Sequence, residues 1–262
     1  MDIKLIQRTA IAAAYDGGKI LQEYFGKLTQ INKKGRIDLV TQADLDSEKT
    51  IIDTIKKRFP DHGFIAEESG CFSETSEGQW IIDPLDGTTN YAHGIAICAV
   101  SIAFSWNNEI LVGVVLNPFS AELFTAISGQ GALLNGRPIE VTPTTSITES
   151  LLTTGFPYDF ITSLTPIMQR FMQCLTACQG IRRFGSAALD LCHVASGRVD
   201  GFWEQNLKPW DTAAGSLIAV EAGARITDFA GLPFDIDKKQ IAATNGLIHP
   251  EMLTLLNIEE IE

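Results

Sequence analysis

Asp83 and Asp86 stand three residues apart in the run Trp80-Ile81-Ile82-Asp83-Pro84-Leu85-Asp86-Gly87-Thr88-Thr89-Asn90. Two carboxylates, two hydroxyls and a backbone carbonyl thus gather at the end of an apolar stretch. An all-oxygen set of this kind suits a hard divalent cation such as Mg²⁺. Cations held there would activate water as a nucleophile. Trp80 to Ile82, aromatic, β-branched and uncharged, predict the end of a buried strand. Pro84 and Gly87 predict a turn directly after it. An Asp-rich surface turn is the bland alternative for the segment taken alone. Six specified positions, however, recur by chance on the order of 10⁻⁸ per start site at average residue usage.

Four further acidic segments accompany it. Asp44 falls in the first turn of a predicted helix opened by Thr41 as cap. Glu67 and Glu68 follow a short strand, Phe64 to Ala66. Glu204 ends a predicted strand from Val199. Asp211 stands in Trp210-Asp211-Thr212-Ala213-Ala214-Gly215, where it reads as the N-cap of a small-residue helix. Each acid alone reads as a solvated or capping residue, and Glu68 as solvated or hydrogen-bonded rather than as a ligand. Jointly, acids at strand ends and helix starts, split between two lobes, would converge where the lobes meet.

The elements that must deliver these residues follow from periodicity. Asp2 caps a first helix whose apolar stripe runs from Ile3 to Tyr24, weakened at Gly17-Gly18. Residues 26–38 read as a polar, basic loop with Lys33, Lys34 and Arg36. The Thr41 helix buries Ile51, Ile52, Ile55 and Phe59 and ends at Pro60-Asp61-His62-Gly63. Residues 70–79 read as a loop. Ile97 to Trp106, Ile110 to Asn117 and Glu122 to Ile127 are consecutive strands. Asn135-Gly136 predicts a hairpin between Ala132–Leu134 and Ile139–Val141. From about residue 143 the texture changes to strands near Leu151, Ile181, Val199, Arg225 and Ile241, alternating with helices at about 163–178, 186–195, 211–222 and from Pro250. That pattern predicts a mixed α/β fold with an N-terminal lobe of about 1–142 and a C-terminal lobe of about 143–262 in one catalytic domain.

Composition narrows the functional classes. The 262 residues are 45% hydrophobic and 20% charged, with 32 acids against 20 bases for a net charge of −12. Such a surface argues against nucleic acid as main partner, and part of the charge is what bound cations would neutralise. The N-terminus lacks a signal-peptide layout and no apolar run reaches membrane-spanning length, so the expectation is a cytoplasmic protein without a membrane anchor. Cys71, Cys98, Cys174, Cys178 and Cys192 read as reduced thiols, with Cys174 and Cys178 packing in a core rather than binding metal. His62, His93, His193 and His249 are scattered without zinc spacing, and none reads as a catalytic base.

With these segments assembled, the chain resembles the inositol monophosphatase family of Mg²⁺-dependent, lithium-sensitive phosphatases. The matching segments are Asp38 to Asp44, Glu67-Glu68-Ser69, Trp80 to Asn90, Gly185-Ser186-Ala187-Ala188-Leu189-Asp190 and Trp210 to Gly215, in order across nearly the whole chain. Gly180 to Arg183 and Leu207 to Asp211 look like its bacterial branch. The resemblance implies a layered αβαβα sandwich of the inositol monophosphatase and fructose-1,6-bisphosphatase type, a homodimer, and two or three Mg²⁺ per active site. It implies that Glu67, Asp83 and the Leu85 carbonyl hold one metal, and that Asp83, Asp86 and Asp211 hold another. Thr88 and Asp44 would position the attacking water and Glu67 would help deprotonate it. Glu67, Leu85, Asp86, Gly87, Thr88 and Asp211 would meet the phosphate end of the substrate. Arg183, Ser186, Ala187 and Glu204 would meet its alcohol part, a small polyol or sugar.

The physical chemistry agrees. Phosphate monoester hydrolysis is among the slowest uncatalysed reactions and demands strong charge stabilisation. Two cations about 3.5–4 Å apart supply it to both the attacking and the leaving oxygen. The leading substrate is myo-inositol 1-phosphate. Fructose 1,6-bisphosphate, 3′-phosphoadenosine 5′-phosphate and histidinol phosphate are the sister-branch alternatives. The intact Asp-Gly-Thr-Thr-Asn favours the inositol branch, while the basic stretch from Gln205 to Trp210 argues against carrying over strict inositol specificity. Lys33, Lys34 and Arg36 would raise the positive potential over the phosphate, or else form a solvated loop. Aspartyl-phosphate phosphatases, which also carry Asp, Asp, Gly and Thr in one loop, space their two aspartates by two residues, whereas Asp83 and Asp86 are three apart with Pro84 between them. A non-enzymatic role as partner in a larger assembly is the remaining alternative.

Overall fold

Helix starts and strand pairings decide where every acidic segment ends up. The structure, a computed structural model, describes residues 1–27, 31–33, 39–72, 76–157 and 164–258. Along the chain the first half runs α1 (Ile3–Tyr24), β1 (Ile31–Lys33), β2 (Leu39–Thr41), α2 (Gln42–Lys56), β3 (Gly63–Ala66), β4 (Gly70–Phe72), β5 (Gly78–Asp86), α3 (Thr88–Ala92), β6 (Ala99–Trp106), β7 (Glu109–Asn117), β8 (Glu122–Ile127), β9 (Ala132–Leu134) and β10 (Arg137–Pro138). The second half runs β11 (Leu151–Thr154), α4 (Leu164–Ala177), β12 (Gly180–Arg182), α5 (Ala187–Ala195), β13 (Gly201–Gln205), α6 (Pro209–Glu221), β14 (Arg225–Thr227), β15 (Gln240–Thr244) and α7 (His249–Leu256).

Two sheets carry the fold. An eight-stranded sheet has the order β10-β9-β8-β7-β6-β5-β3-β4, and a five-stranded sheet the order β12-β11-β13-β15-β14. Period-two patterning explains the layering. On one face of the large sheet, Phe64, Trp80, Ile82, Ile102 and Val114 pack against Ile6, Ala10, Leu21, Ile51 and Ile55 of α1 and α2. On the other, Ile81, Ala103 and Val115 meet Leu189, Cys192, Ala213 and Ile218 of α5 and α6. The opposite side of α5 buries Leu191 and Val194 against Phe202, Ile241 and Ala243 of the small sheet. That sheet's outer face packs Leu152 and Trp203 on Cys174, Met252 and Leu256 of α4 and α7. The result is the αβαβα sandwich. Gly17 does not interrupt α1: a Cβ there would lie 2.7 Å from Ile51, so its absence lets α1 and α2 approach closely.

Several local expectations need correction. Residues 70–79 are not a continuous loop: Gly70 to Phe72 form β4, which pairs antiparallel with β3, Cys71 opposite Ile65 and Phe72 opposite Phe64. Within 26–38, Ile31 to Lys33 form a strand against β2. Lys34, Arg36 and Asp38 lie outside the described residues. The Asn135-Gly136 turn closes on Arg137-Pro138 rather than on Ile139 to Val141, with both turn residues at positive φ as a tight hairpin requires. The small sheet is mixed: β11 runs parallel to β12 and β13, whereas β13, β15 and β14 are antiparallel.

Candidate active site

The two aspartates of β5 share a side because the strand is irregular. In a regular strand, residues three apart point to opposite faces. Here Asp83 pairs with Ser101 and Asp86 with Ala99, so three steps on β5 face two on β6. The bulge puts both carboxylates on the face toward α5 and α6. Pro84 sits in this irregularity, where its missing N–H is tolerated, and its carbonyl accepts from the Ser47 hydroxyl at 3.1 Å. The chain thus bulges at Pro84 instead of turning there, and the turn comes at Gly87, whose φ is +98°.

Neighbouring elements bring the other acids in. β3 runs parallel to β5 with Ala66 opposite Ile82, and the Glu67 N–H donates to the Ile82 carbonyl at 3.2 Å, so Glu67 arrives beside Asp83. Asp44 is third in α2, and its Oδ2 accepts from the Thr41 N–H at 2.8 Å and hydroxyl at 2.6 Å. The Thr88 hydroxyl lies 3.2 Å from Asp44 Oδ1 and 3.0 Å from the Leu85 carbonyl. Asp211 is not the N-cap of α6. Pro209 opens that helix, which leaves Asp211 third, with Oδ2 accepting from the Lys208 N–H at 2.7 Å.

One oxygen of each central carboxylate is thereby fixed. Asp83 Oδ1 accepts from the Leu85 N–H at 2.9 Å. Asp86 Oδ2 accepts from the Ser186 hydroxyl at 2.6 Å and the Ala188 N–H at 2.7 Å, at the N-terminus of α5. Asn90 ties the two halves of the site together, donating to the carbonyls of Ile97 at 2.9 Å and Phe184 at 2.7 Å.

These residues border a cleft of about 620 Å³. Glu67, Asp86, Gly87, Arg183, Ser186, Ala187, Glu204 and Asp211 line it, together with Gly155, Lys208 and Lys239. Asp44, Asp83, Leu85 and Thr88 are buried and do not line it. Eight of the twelve site residues read from the sequence thus line the cleft, and the other four are buried in the segments that carry them or bond to them. No histidine lines the cleft; His249 is held between the hydroxyls of Thr227 and Thr244, and His62 accepts from the Trp80 indole N–H. The five cysteines are free thiols.

The electrostatics describe carboxylates short of countercharge. Burial, then the charges of Glu67, Asp86 and Asp211, push Asp83 well above the ordinary carboxylate range. Burial lifts Asp86 to about 6 despite its hydrogen bonds from Ser186 and Ala188. Burial also lifts Asp44 to about 6, against the Thr41 bonds that favour its charged form. Asp211 is raised by burial and by Asp86. Among the described residues no three His, Cys, Asp or Glu side chains already stand as a compact ligand group. The donor chemistry nevertheless fits a hard cation: four clustered carboxylates and a carbonyl, all oxygen, with hydrogen bonds orienting three of the acids.

Sequence reading left Gly155, Ser47 and Glu48 without a role, and quoted Asp190 without assigning one. Glu48 is buried and its Oε2 accepts from the Glu68 N–H at 2.8 Å, beside Glu67. Its position one turn after Asp44 on the same helix is the signal that identifies it. Asp190 Oδ1 accepts from the Thr153 hydroxyl at 2.6 Å, while its buried Oδ2 has no partner.

The two-sheet αβαβα sandwich and its carboxylate-lined cleft are matched by one family of phosphatases. The chain matches the Inositol monophosphatase family over residues 2–260 and belongs to it. It is 45% identical over 253 residues to an inositol-1-monophosphatase of Synechocystis sp., covering 96% of this chain and 88% of that protein. It is 47% identical over 203 residues to the Nus factor SuhB of Vibrio cholerae, covering 77% and 76% of the two. The crystal structure of the extragenic suppressor protein suhB from Bartonella henselae superposes with a TM-score of 0.93 at 40% identity, covering 98% of this chain and all of that one. Among the described residues no helix is long and apolar enough to cross a membrane.

Proposed function

We propose that this protein is a Mg²⁺-dependent phosphomonoesterase that hydrolyses myo-inositol 1-phosphate, or a similar small sugar phosphate, to the free alcohol and inorganic phosphate. The observation that carries this reading is the convergence of Glu67, Asp83, Asp86 and Asp211 from three separate chain segments, the other three each raising the Asp83 carboxyl by their charge. Acids brought together at such electrostatic cost call for a cation.

Glu67, Asp83 and the Leu85 carbonyl would hold one Mg²⁺, and Asp83, Asp86 and Asp211 a second. The metal, when bound, supplies charge neutralisation for the phosphate and acidifies a bound water. The Thr88 hydroxyl, fixed by Asp44 and the Leu85 carbonyl, orients the attacking water, and Glu67 accepts its proton. Gly87 and Thr88 turn their backbone N–H groups toward the phosphate oxygens. Ser186 and Ala187 border the alcohol, and Arg183 adds positive charge at the rim. Glu204 accepts hydrogen bonds from the hydroxyls of the alcohol part. Its support is that it is buried in the cleft wall with no hydrogen-bond donor of its own among the described residues. The resemblance to the family also implies a homodimer, which light scattering checks, and the reading places it in the cytoplasm, which cell fractionation checks.

Phosphate release from a panel tests the reading: inositol 1-phosphate, fructose 1,6-bisphosphate, 3′-phosphoadenosine 5′-phosphate and histidinol phosphate, with Mg²⁺, with chelator and with lithium. Preference for inositol 1-phosphate with metal dependence is expected. Preference for another member moves the protein to a sister branch, and no metal-dependent release from any of them overturns the enzyme reading. The Nus factor name of the Vibrio relative favours one second reading, a role as partner in a larger assembly. A cellular role that survives Asp83→Asn would put that binding role first.

A further inference from the structure

Glu204 and Gly155 occupy adjacent steps of one parallel strand pair. β11 and β13 run side by side with Thr154 opposite Trp203, and the Thr154 hydroxyl donates to the Trp203 carbonyl at 2.8 Å, which pins that register. The residues that follow, Gly155 and Glu204, are therefore neighbours, and both line the cleft. A Cβ placed on Gly155 would fall inside the van der Waals shell of Glu204, on Cδ and both carboxylate oxygens, closer than the 3.0 Å that real Cβ contacts respect. The carboxylate lies flat on bare backbone. Gly155 is not among the glycines at positive φ. Its backbone would accept alanine without strain, so what the missing side chain provides is room for Glu204.

That room places an unusual acceptor. Glu204 is only 8% exposed, and no donor meets its carboxylate among the described residues. Burial and the nearby Asp190 and Asp211 charges keep it well above the ordinary carboxylate range. Its oxygens are not among the fully buried atoms without a partner; they open on the cleft, where a molecule that enters can supply donors.

We propose that Gly155 is a specificity-determining residue: its bare backbone is the seat of the Glu204 carboxylate, and any side chain there moves that acceptor away from the hydroxyls of the alcohol. The inference rests on the reading of Glu204 as the hydroxyl acceptor. It goes further by assigning the position of that group, and hence polyol selectivity, to a residue that itself offers the substrate no side chain. Because the obstructed atoms are the far end of a flexible side chain, Gly155→Ala should fold, with the carboxylate giving way.

The test compares steady-state kinetics on inositol 1-phosphate with those on p-nitrophenyl phosphate, whose leaving group has no alcohol hydroxyls. Wild type, Gly155→Ala, Glu204→Ala and the double variant are assayed at saturating Mg²⁺, with melting curves alongside. The expected result is a rise of about tenfold or more in KM for inositol 1-phosphate in Gly155→Ala, and a similar fall in the kcat/KM ratio of the two substrates. The double variant should be no worse than Glu204→Ala, as expected for two residues acting through one contact. A wild-type ratio in Gly155→Ala, beside a lowered ratio in Glu204→Ala, overturns this proposal alone. An unchanged ratio in Glu204→Ala overturns the underlying reading of Glu204, and this proposal with it. Equal losses on both substrates in Gly155→Ala, or additive losses in the double variant, also overturn the proposal.

Discussion

The two ends of the cleft treat their carboxylates differently. At the large-sheet end, Asp83, Asp86 and Asp44 each rest on a backbone N–H or a hydroxyl. At the small-sheet end, Glu204 meets no donor among the described residues and opens on the cleft, and Asp190, bonded to Thr153 through Oδ1, keeps an orphaned Oδ2. Hydrogen bonds that fix one carboxylate oxygen orient the other, which suits ligands that must meet a cation in a set geometry. Open acceptors suit a wall that recognises the hydroxyls of a substrate. On the proposed reading, one end holds charge and the other reads an alcohol.

The largest effect that would break this contrast belongs to the charge-holding end. Asp83→Asn should cut kcat by at least about a thousandfold with the melting temperature retained in metal-free buffer, since on the proposed reading it removes the acid shared between both cation positions. Glu67→Gln should lose a comparable factor, read in the same phosphate-release assay. Near-wild-type turnover in either variant would falsify the assignment of that end.

A smaller effect concerns the hydrogen bonds beneath the ligands. Ser186→Ala removes the hydroxyl 2.6 Å from Asp86 Oδ2 but leaves the Ala188 N–H in place. The half-activating Mg²⁺ concentration should rise about tenfold, the low end of what lost orienting partners cost, with kcat at saturating metal nearly kept. An unchanged Mg²⁺ requirement would show that Asp86 needs no such support.

The smallest effect is in pH dependence, where the raised acids bind protons more tightly folded than unfolded. Asp44 and Asp86 titrate at about 6 in the fold, against about 3.9 in an unfolded chain. The metal-free protein should therefore lose stability as pH rises from about 4 through about 6, and further as Asp83 and Asp211 ionise. His62, His193 and His249 are lowered by burial, the last two to about 4; they act with the opposite sign, since their stabilisation is lost as pH falls from about 6.5 toward their folded values. The six raised acids, Asp44, Asp83, Asp86, Asp190, Glu204 and Asp211, outnumber them. Mg²⁺ should flatten or reverse the slope by replacing the protons. Denaturant melts at pH 5 and pH 7, with and without Mg²⁺, check both signs.

How much of this was legible in the sequence depended on whether a signal was local. Asp2 and Thr41 announced their helices because a cap and its bonded N–H lie within three residues. Asp83 and Asp86 were recognisable from type and spacing. The bulge that puts them on one side was not, because it exists only as a register shift against β6. Asp211 looked like a cap until Pro209 took the first helical position. β4 was hidden for the same reason as the bulge: three exposed residues are a strand only because β3 pairs with them. Gly155 carried no local signal, since its significance lies in a carboxylate 49 positions away that only the β11–β13 register brings beside it.

The most direct test of the charge-holding end is calorimetric titration of Mg²⁺ into the metal-free protein at pH 7, for wild type and for Asp83→Asn. The account predicts saturable Mg²⁺ binding with proton release in the wild type, and binding weakened at least about a hundredfold in the variant. Equal Mg²⁺ binding by the two proteins, or none by the wild type, would contradict it.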